Sequence, residues 1–331
     1  MTSTTSANTN TRGVLGAGSA MFCVGTLTAV SATIADYPVF GGQAVRYAVA
    51  AAILLFAVRL VDRRRDRPRR TPRDLTTRSL TTRNLTLRDL TLRDLALLTA
   101  LAGTGLAAFN VFIVAATRDT SPATIGTVIA TVPIALALVG PILERRRPSP
   151  VIVVSAVVVT LGAALANGLG SGTPRGLLLS LGALGGEVCF SLLAVPLLPK
   201  LGPLRVSAYS AALAAPMLLV IGLVADGRAV LRVPTVSEVA GFTYLSVVVT
   251  TVAFLLWYDA IGRLGADRAG LFAGVIPVSA VITTVALGLG SPGPADLAGA
   301  ALVAVGVVIG LRPGRRRPVP TPAPEPATAG C

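Results

Sequence analysis

Histidine is absent from all 331 residues, and cysteine occurs only three times. Cys23 and Cys189 fall inside apolar stretches and Cys331 ends the chain, so no disulfide framework and no Cys/His metal-ligand cluster is expected. Histidine-based nucleophilic catalysis is excluded on the same ground. The G-x-x-x-x-G-K-S/T loop that cradles nucleotide phosphates is also missing, so no cofactor is expected and ATP-driven transport by this chain alone is disfavoured. Charge is scarce as well: 13% of residues are charged, against about 25% in soluble domains.

Apolar length is what the chain has in quantity, with 53% hydrophobic residues. Ten stretches stand out, at 14–35, 39–60, 95–117, 122–143, 150–167, 176–198, 203–225, 239–261, 267–289 and 295–311. Most have the roughly 20 residues that a helix needs to cross about 30 Å of hydrocarbon. The spacing predicts an all-α polytopic membrane protein with ten transmembrane helices. Residues 1–12 are polar, but the apolar run that follows is too long for a signal-peptide core, so it reads as the first span.

Positive charge orients these spans, because Lys and Arg are retained on the cytoplasmic side during insertion. Of the 29 Lys and Arg residues, 24 fall at the N-terminus, in alternate gaps and at the C-terminus; Arg118, Arg175, Arg228 and Arg232 fall on the opposite side, and Arg46 lies within a span. Both termini are predicted to be cytoplasmic, in a plasma-membrane protein. The net charge of +14 thus has a topological explanation, with membrane lipid headgroups as its partner. Nucleic acid is not an expected partner, since the charge is split among loops without interleaved aromatics.

The chain divides into two five-helix segments, 13–167 and 175–311, joined by the flexible linker 167–174 and followed by a Pro-rich disordered tail, 312–331. Traces of duplication connect them. Cys23 and Cys189 are separated by 166 positions and Pro133 and Pro277 by 144, and one insertion after the second span accounts for the change. That loop, 61–94, carries a basic pentad repeat over 71–95, from Thr71-Pro-Arg-Asp-Leu75 to Thr91-Leu-Arg-Asp-Leu95, and reads as a low-complexity loop lying on anionic lipid. An odd number of spans per segment forces opposite orientations, which makes an inverted repeat enclosing a site near the midplane.

Few polar groups interrupt the spans. Glu187 lies near the bilayer centre, where an ionised carboxylate costs roughly 2.5–3.5 kcal/mol on insertion scales and calls for a partner, water or a proton. It is a candidate substrate or proton site, or a bonded packing residue. Gly186, just before it, permits close approach of a helix or substrate. Arg46 cannot lose its proton, so it snorkels, pairs with an acid or faces a cavity, and Gln43 one turn earlier shares its wall. Asn110 and Tyr209 are further substrate-binding candidates. Pro133 and Pro277 each remove a helical hydrogen bond near mid-span, which makes them pathway or hinge candidates, or plain kinks. Asp259 and Arg263 are placed as an interfacial ion pair, and Tyr37, Tyr244, Trp257 and Tyr258 as aromatic-belt anchors.

These residues resemble the EamA-type branch of the drug/metabolite transporter superfamily. Arg46 within Gln43-Ala-Val-Arg46-Tyr-Ala-Val-Ala is similar to that family's second-span pattern, and Pro133 followed by Leu143-Glu144-Arg145-Arg146 to its fourth span. Trp257-Tyr-Asp-Ala-Ile-Gly-Arg-Leu-Gly265-Ala-Asp-Arg-Ala269 with Pro277 resembles its eighth-to-ninth hairpin. The second acidic signature is replaced by Gly288-Leu-Gly-Ser291. The resemblance implies a non-enzymatic exporter moving a small-molecule substrate by alternating access, with proton coupling suggested by Glu187. A membrane sensor or assembly protein, or an integral lipid-modifying enzyme, are the alternatives.

Overall fold

Residues 3–27, 30, 34–65, 90–168, 170–286, 288 and 291–312 are described by the computed structural model. Among them the chain forms helices and no strand, apart from an isolated antiparallel bridge between Thr120 and Gly172. The helices are α1 Ser3–Gly25, α2 Val39–Arg65, α3 Leu92–Ala116, α4 Pro122–Leu143, α5 Pro150–Asn167, α6 Pro174–Leu192, α7 Leu198–Asp226, α8 Val236–Leu264, α9 Ala266–Ala286 and α10 Pro294–Leu311. Among the described residues nine of them, α2 to α10, are long and apolar enough to cross a membrane. The first apolar stretch, 14–35, is only partly covered: α1 ends at Gly25, and residues 28–29 and 31–33 lie outside the described residues.

Local chemistry explains where the helices begin. Thr91 accepts from the Asp94 backbone N–H while the Asp94 carboxylate accepts from that of Thr91, a capping box that recurs with Thr235 and Glu238 before α8. Proline opens α4, α5, α6 and α10, where its missing N–H has no intrahelical partner to lose. The last pentad copy is therefore the cap and first turn of α3 rather than loop. Because α2 runs on to Arg65, the connection expected over 61–94 is shorter at both ends. Pentad residues 71–89 and the tail 313–331 lie outside the described residues.

Five helices depart from regular α winding, and in α7 the departure is a kink at Gly202, whose φ is 69°. α3 is π-helical over Leu101–Ala108 and α8 over Leu245–Val252. In α8 the Thr250 and Thr251 hydroxyls donate to the carbonyls of Leu245 and Ser246 at 2.9 and 2.8 Å, five residues back, as the wider turn requires. α4 breaks at Ala130 and Thr131 and resumes at Val132 with Pro133 in its first turn; the Ala130 carbonyl accepts from the Thr160 hydroxyl of α5 at 3.1 Å. α9 passes through a 3-10 turn, Leu271–Gly274, before the segment that carries Pro277. Each proline sits where the helix restarts, which spares it a clash with the carbonyl four residues back.

α5 packs along α10 and α2 along α7, while α1 lies on α8 and α9 and α6 on α3 and α4. Small residues set the closest crossings. A side chain at Gly105 would begin 2.8 Å from the Phe190 Cα, and one at Gly186 2.9 Å from the Thr104 carbonyl oxygen, so α3 and α6 touch backbone to backbone. The linker expected to be flexible is instead tied down. The Ser121 N–H donates to the Ser171 carbonyl at 2.9 Å and the Thr173 N–H to that of Asp119 at 3.1 Å, because the turn after α3 offers unpaired backbone groups.

Candidate functional site

A cavity of about 780 Å³ lies among the helices, lined by every one of them except α7. Its wall reaches Thr117 and Pro122 at the α3–α4 turn, Asn167 at the end of α5, and Ser291 and Asp296 at the start of α10. All of these are helix ends on the arginine-poor side.

At the other end of the cavity the way is blocked by rings. Phe190 and Phe254 stand 4.8 Å apart between centroids, Phe190 and Tyr258 5.1 Å, and Tyr47 and Phe254 6.3 Å. Trp257 and Tyr258 are buried, with the Trp257 indole donating to Ser191 Oγ at 3.3 Å and the Tyr258 hydroxyl to the Phe190 carbonyl at 3.5 Å. The aromatic-belt expectation for these two residues is corrected: α8 turns them into the core. Tyr37 is also buried, its hydroxyl donating to the Arg232 carbonyl at 2.9 Å, and Tyr244 pairs its hydroxyl with that of Thr26 at 2.9 Å.

Arg46 lies in the cavity wall and is 7% exposed. Its Nε donates to Thr250 Oγ1 at 2.6 Å and its Nη1 to Gln43 Oε1 at 3.2 Å, with the guanidinium carbon 5.3 Å from the centroid of the Tyr47 ring. The π-helical stretch of α8 thus presents Thr250 to α2. Glu187 lines the same cavity from α6, and among the described residues its carboxylate has neither a hydrogen-bond nor an ion-pair partner. Asn110 lines it from α3, its amide donating to the Leu106 carbonyl at 2.7 Å.

The sequence-predicted residues therefore divide. Glu187, Arg46, Gln43, Asn110 and Pro277 share the cavity wall. Gly186 and Pro133 stand behind it, beside Glu187 and Val132, which do line it. Tyr209 is outside the lining, buried on α7 toward the ion pair of Arg205 with Asp62. Sequence reading did not single out Thr250 or the aromatic floor; a hydroxyl among valines gives no sign that a neighbouring helix will use it.

The arginine-rich ends are fastened. Arg146 donates to Asp267 at 3.0 Å and Glu144 at 2.6 Å, Lys200 to Asp94 at 2.9 Å, and Arg205 to Asp62 at 2.6 Å. Asp267 and Asp94 are almost wholly buried. The bond to Asp267 raises the pKa of the Arg146 guanidinium above its ordinary value despite partial burial, so Arg146 stays charged throughout the physiological range. Asp259 and Arg263 form the expected i,i+4 pair at 2.6 Å. On the arginine-poor side, Arg232 pairs with the buried Glu238 at the start of α8, while Arg175 and Asp119 meet at 3.6 Å with Arg175 largely in the open.

A model of the EamA-like transporter family matches residues 11–168 and 176–312. The chain belongs to that family. It is 26% identical over 271 residues to a Bacillus subtilis (strain 168) protein described as the uncharacterized transporter YetK, covering 80% of this chain and 76% of that protein. A solved crystal structure superposes with a TM-score of 0.68 over 92% of this chain and 97% of its own, at 18% identity, so the fold is shared. As an EamA-like transporter the protein is a multi-pass membrane protein whose partners are lipid and a small-molecule substrate. The Glu144-Arg145-Arg146 signature that suggested the family is the one that holds Asp267.

Proposed function

We propose that this EamA-like transporter is a secondary carrier that moves a small metabolite outward across the plasma membrane by alternating access, with both termini cytoplasmic. Its ten helices, α1 included, form two inverted five-helix repeats. Several devices recur at one spacing and support that reading. Thr91 and Thr235 open equivalent capping boxes, the π segments begin at Leu101 and Leu245, and Pro133 and Pro277 restart broken helices, each pair 144 positions apart. The packing follows the same exchange: α1 on α8 and α9 answers α6 on α3 and α4.

One observation carries the functional reading: a cavity lined from both repeats, holding a buried cation and an unpartnered carboxylate, that reaches the membrane surface at one end and is latched at the other. In this reading the structure is the outward-facing state, Arg46, Gln43, Asn110 and Glu187 bind substrate, and the breaks at Pro133 and Pro277 are hinges. Glu187 carries any proton coupling, and the outward direction is the one the family resemblance implies.

The test is a ligand-library thermal-shift screen on purified protein, followed by counterflow of each hit in proteoliposomes. At least one stabilising compound is expected to accumulate against its labelled counterpart. Failure of every strong binder to exchange across the bilayer would contradict transport. For compounds that do exchange, a Glu187→Gln variant retaining full dependence on a proton gradient would remove the coupling role.

A further inference from the structure

The cavity's charges are not equally satisfied. Arg46 already has a hydroxyl, an amide oxygen and an aromatic face around its guanidinium. Neutral oxygens and a ring quadrupole can hold a cation in a low-dielectric site without a counter-anion. Glu187 has no such shell: no donor or cation among the described residues reaches its carboxylate. Gly185 and Gly186 precede it and offer no side chain that would cover it. A half-buried carboxylate that faces a mid-span cavity without a protein partner is costly unless something from outside the fold completes it.

The rest of the wall selects what that is. Among the described residues, Arg46, Glu187 and Asp296 are the acidic and basic lining groups, one guanidinium against two carboxylates, so the wall offers an entering cation more partners than an anion although the chain as a whole is strongly basic. Asp296 caps the start of α10, accepting from the Gly293 N–H at 2.7 Å, and stands at the mouth. Glu187 lies deeper, one helical turn from Phe190 and its ring cluster with Tyr47 and Phe254. Aromatic faces beside a lone carboxylate favour a positive group on an apolar body, and oppose an anion twice over.

We infer that the cavity takes a hydrophobic organic cation, an ammonium borne on an aromatic or aliphatic body, with the Glu187 carboxylate as its counter-ion and the Phe190 and Phe254 rings as its floor. The inference rests on the transport reading only in calling this ligand a substrate; binding by itself does not require transport.

Trp257 is the single tryptophan and lines the cavity, so its emission reports occupancy directly. The purified full chain in detergent is titrated with four compounds of one shape and different charge: phenethylammonium, phenethyl alcohol, hydrocinnamate and zwitterionic phenylalanine. Phenethylammonium is expected to bind about 10-fold or more tightly than each of the others, the equivalent of about 1.4 kcal/mol. Glu187→Gln should erase that preference without changing the affinity for the alcohol, and Glu187→Asp should keep it. Tightest binding of the anion or the zwitterion, equal binding or no binding of all four, or a preference that survives Glu187→Gln would each overturn the assignment. Should the Gln variant fail to fold, the charge series on the unaltered protein decides. Counterflow separates the two readings: a cation that binds selectively but does not exchange overturns transport alone, whereas exchange of anions or zwitterions with no effect of the cation overturns this inference alone.

Discussion

Arg46→Met is expected to reduce counterflow by about 100-fold while leaving the folded protein as stable as before, or slightly more so. The two effects part because of what surrounds the guanidinium. Its protein partners, Thr250 and Gln43, are neutral, so its removal strands no buried counter-charge. The Thr250 hydroxyl still donates to the Leu245 carbonyl, and methionine fills the vacated apolar volume. Breaking a true buried ion pair costs about 3–5 kcal/mol, whereas exchanging an unpaired buried charge for an apolar side chain is neutral or favourable. The loss in transport corresponds to about 2.7 kcal/mol, within the range of charge-assisted hydrogen bonds that the guanidinium makes to neutral oxygens as the cavity rearranges, and it involves no pairing with a cationic substrate group, which Glu187 holds. Thermal unfolding in detergent and counterflow on the same preparation check both halves of the expectation. A large drop in unfolding temperature would make Arg46 a structural residue instead.

The second large effect comes from the latch. Arg146 with Asp267, Lys200 with Asp94, and Arg205 with Asp62 each join one of the first five helices or their turns to one of the last five. Lys200 is half exposed and Arg146 more than a third exposed, so solvent and salt weaken each pair to about 0.2–1 kcal/mol. Together they supply about 1–3 kcal/mol, which is a 5–150-fold bias between two conformations. Replacing Asp62, Asp94 and Asp267 together by asparagine should shift the population by about 10-fold or more toward a state open at the arginine-rich end. The readout is a cysteine at Leu136, which is fully buried on α4 just beyond the cavity. In a background without native cysteines, its reaction with an impermeant maleimide should accelerate by a similar factor in the triple variant. High salt should produce part of the same acceleration in the protein with its carboxylates intact. An unchanged rate would mean that the ion pairs merely decorate a face closed by packing.

Much of the fold was legible in the sequence because a bilayer imposes simple arithmetic. Apolar runs of span length, prolines and threonines at their starts, and arginines in alternate gaps each have one physical reading. Arg46 and Glu187 were legible for the same reason, since a charge in an apolar run has few ways to exist. What stayed hidden was direction around the helix axis. The π turn in α3 and the one in α8 reset which face follows them, and nothing in Leu101–Ala108 or Leu245–Val252 announces that winding. Thus Trp257 and Tyr258, near the end of a run, read as interface anchors yet close the cavity floor. Tyr209 and Asn110 carried equal signals, and what separates them is that α3 lines the cavity whereas α7 does not. The pairing of Asp267 with Arg146 spans 121 positions and had no local signature.

Reciprocal opening is the claim on which the rest depends, and distances across the two ends measure it. Spin labels at Thr117 and Val285 flank the cavity at the arginine-poor end, and labels at Arg147 and Arg268 flank the latched end. Pulsed dipolar spectroscopy in lipid nanodiscs, on the protein alone and on the triple latch variant, is expected to show the first distance shortening as the second lengthens. Two distributions that stay fixed, or that widen together, would contradict alternating access.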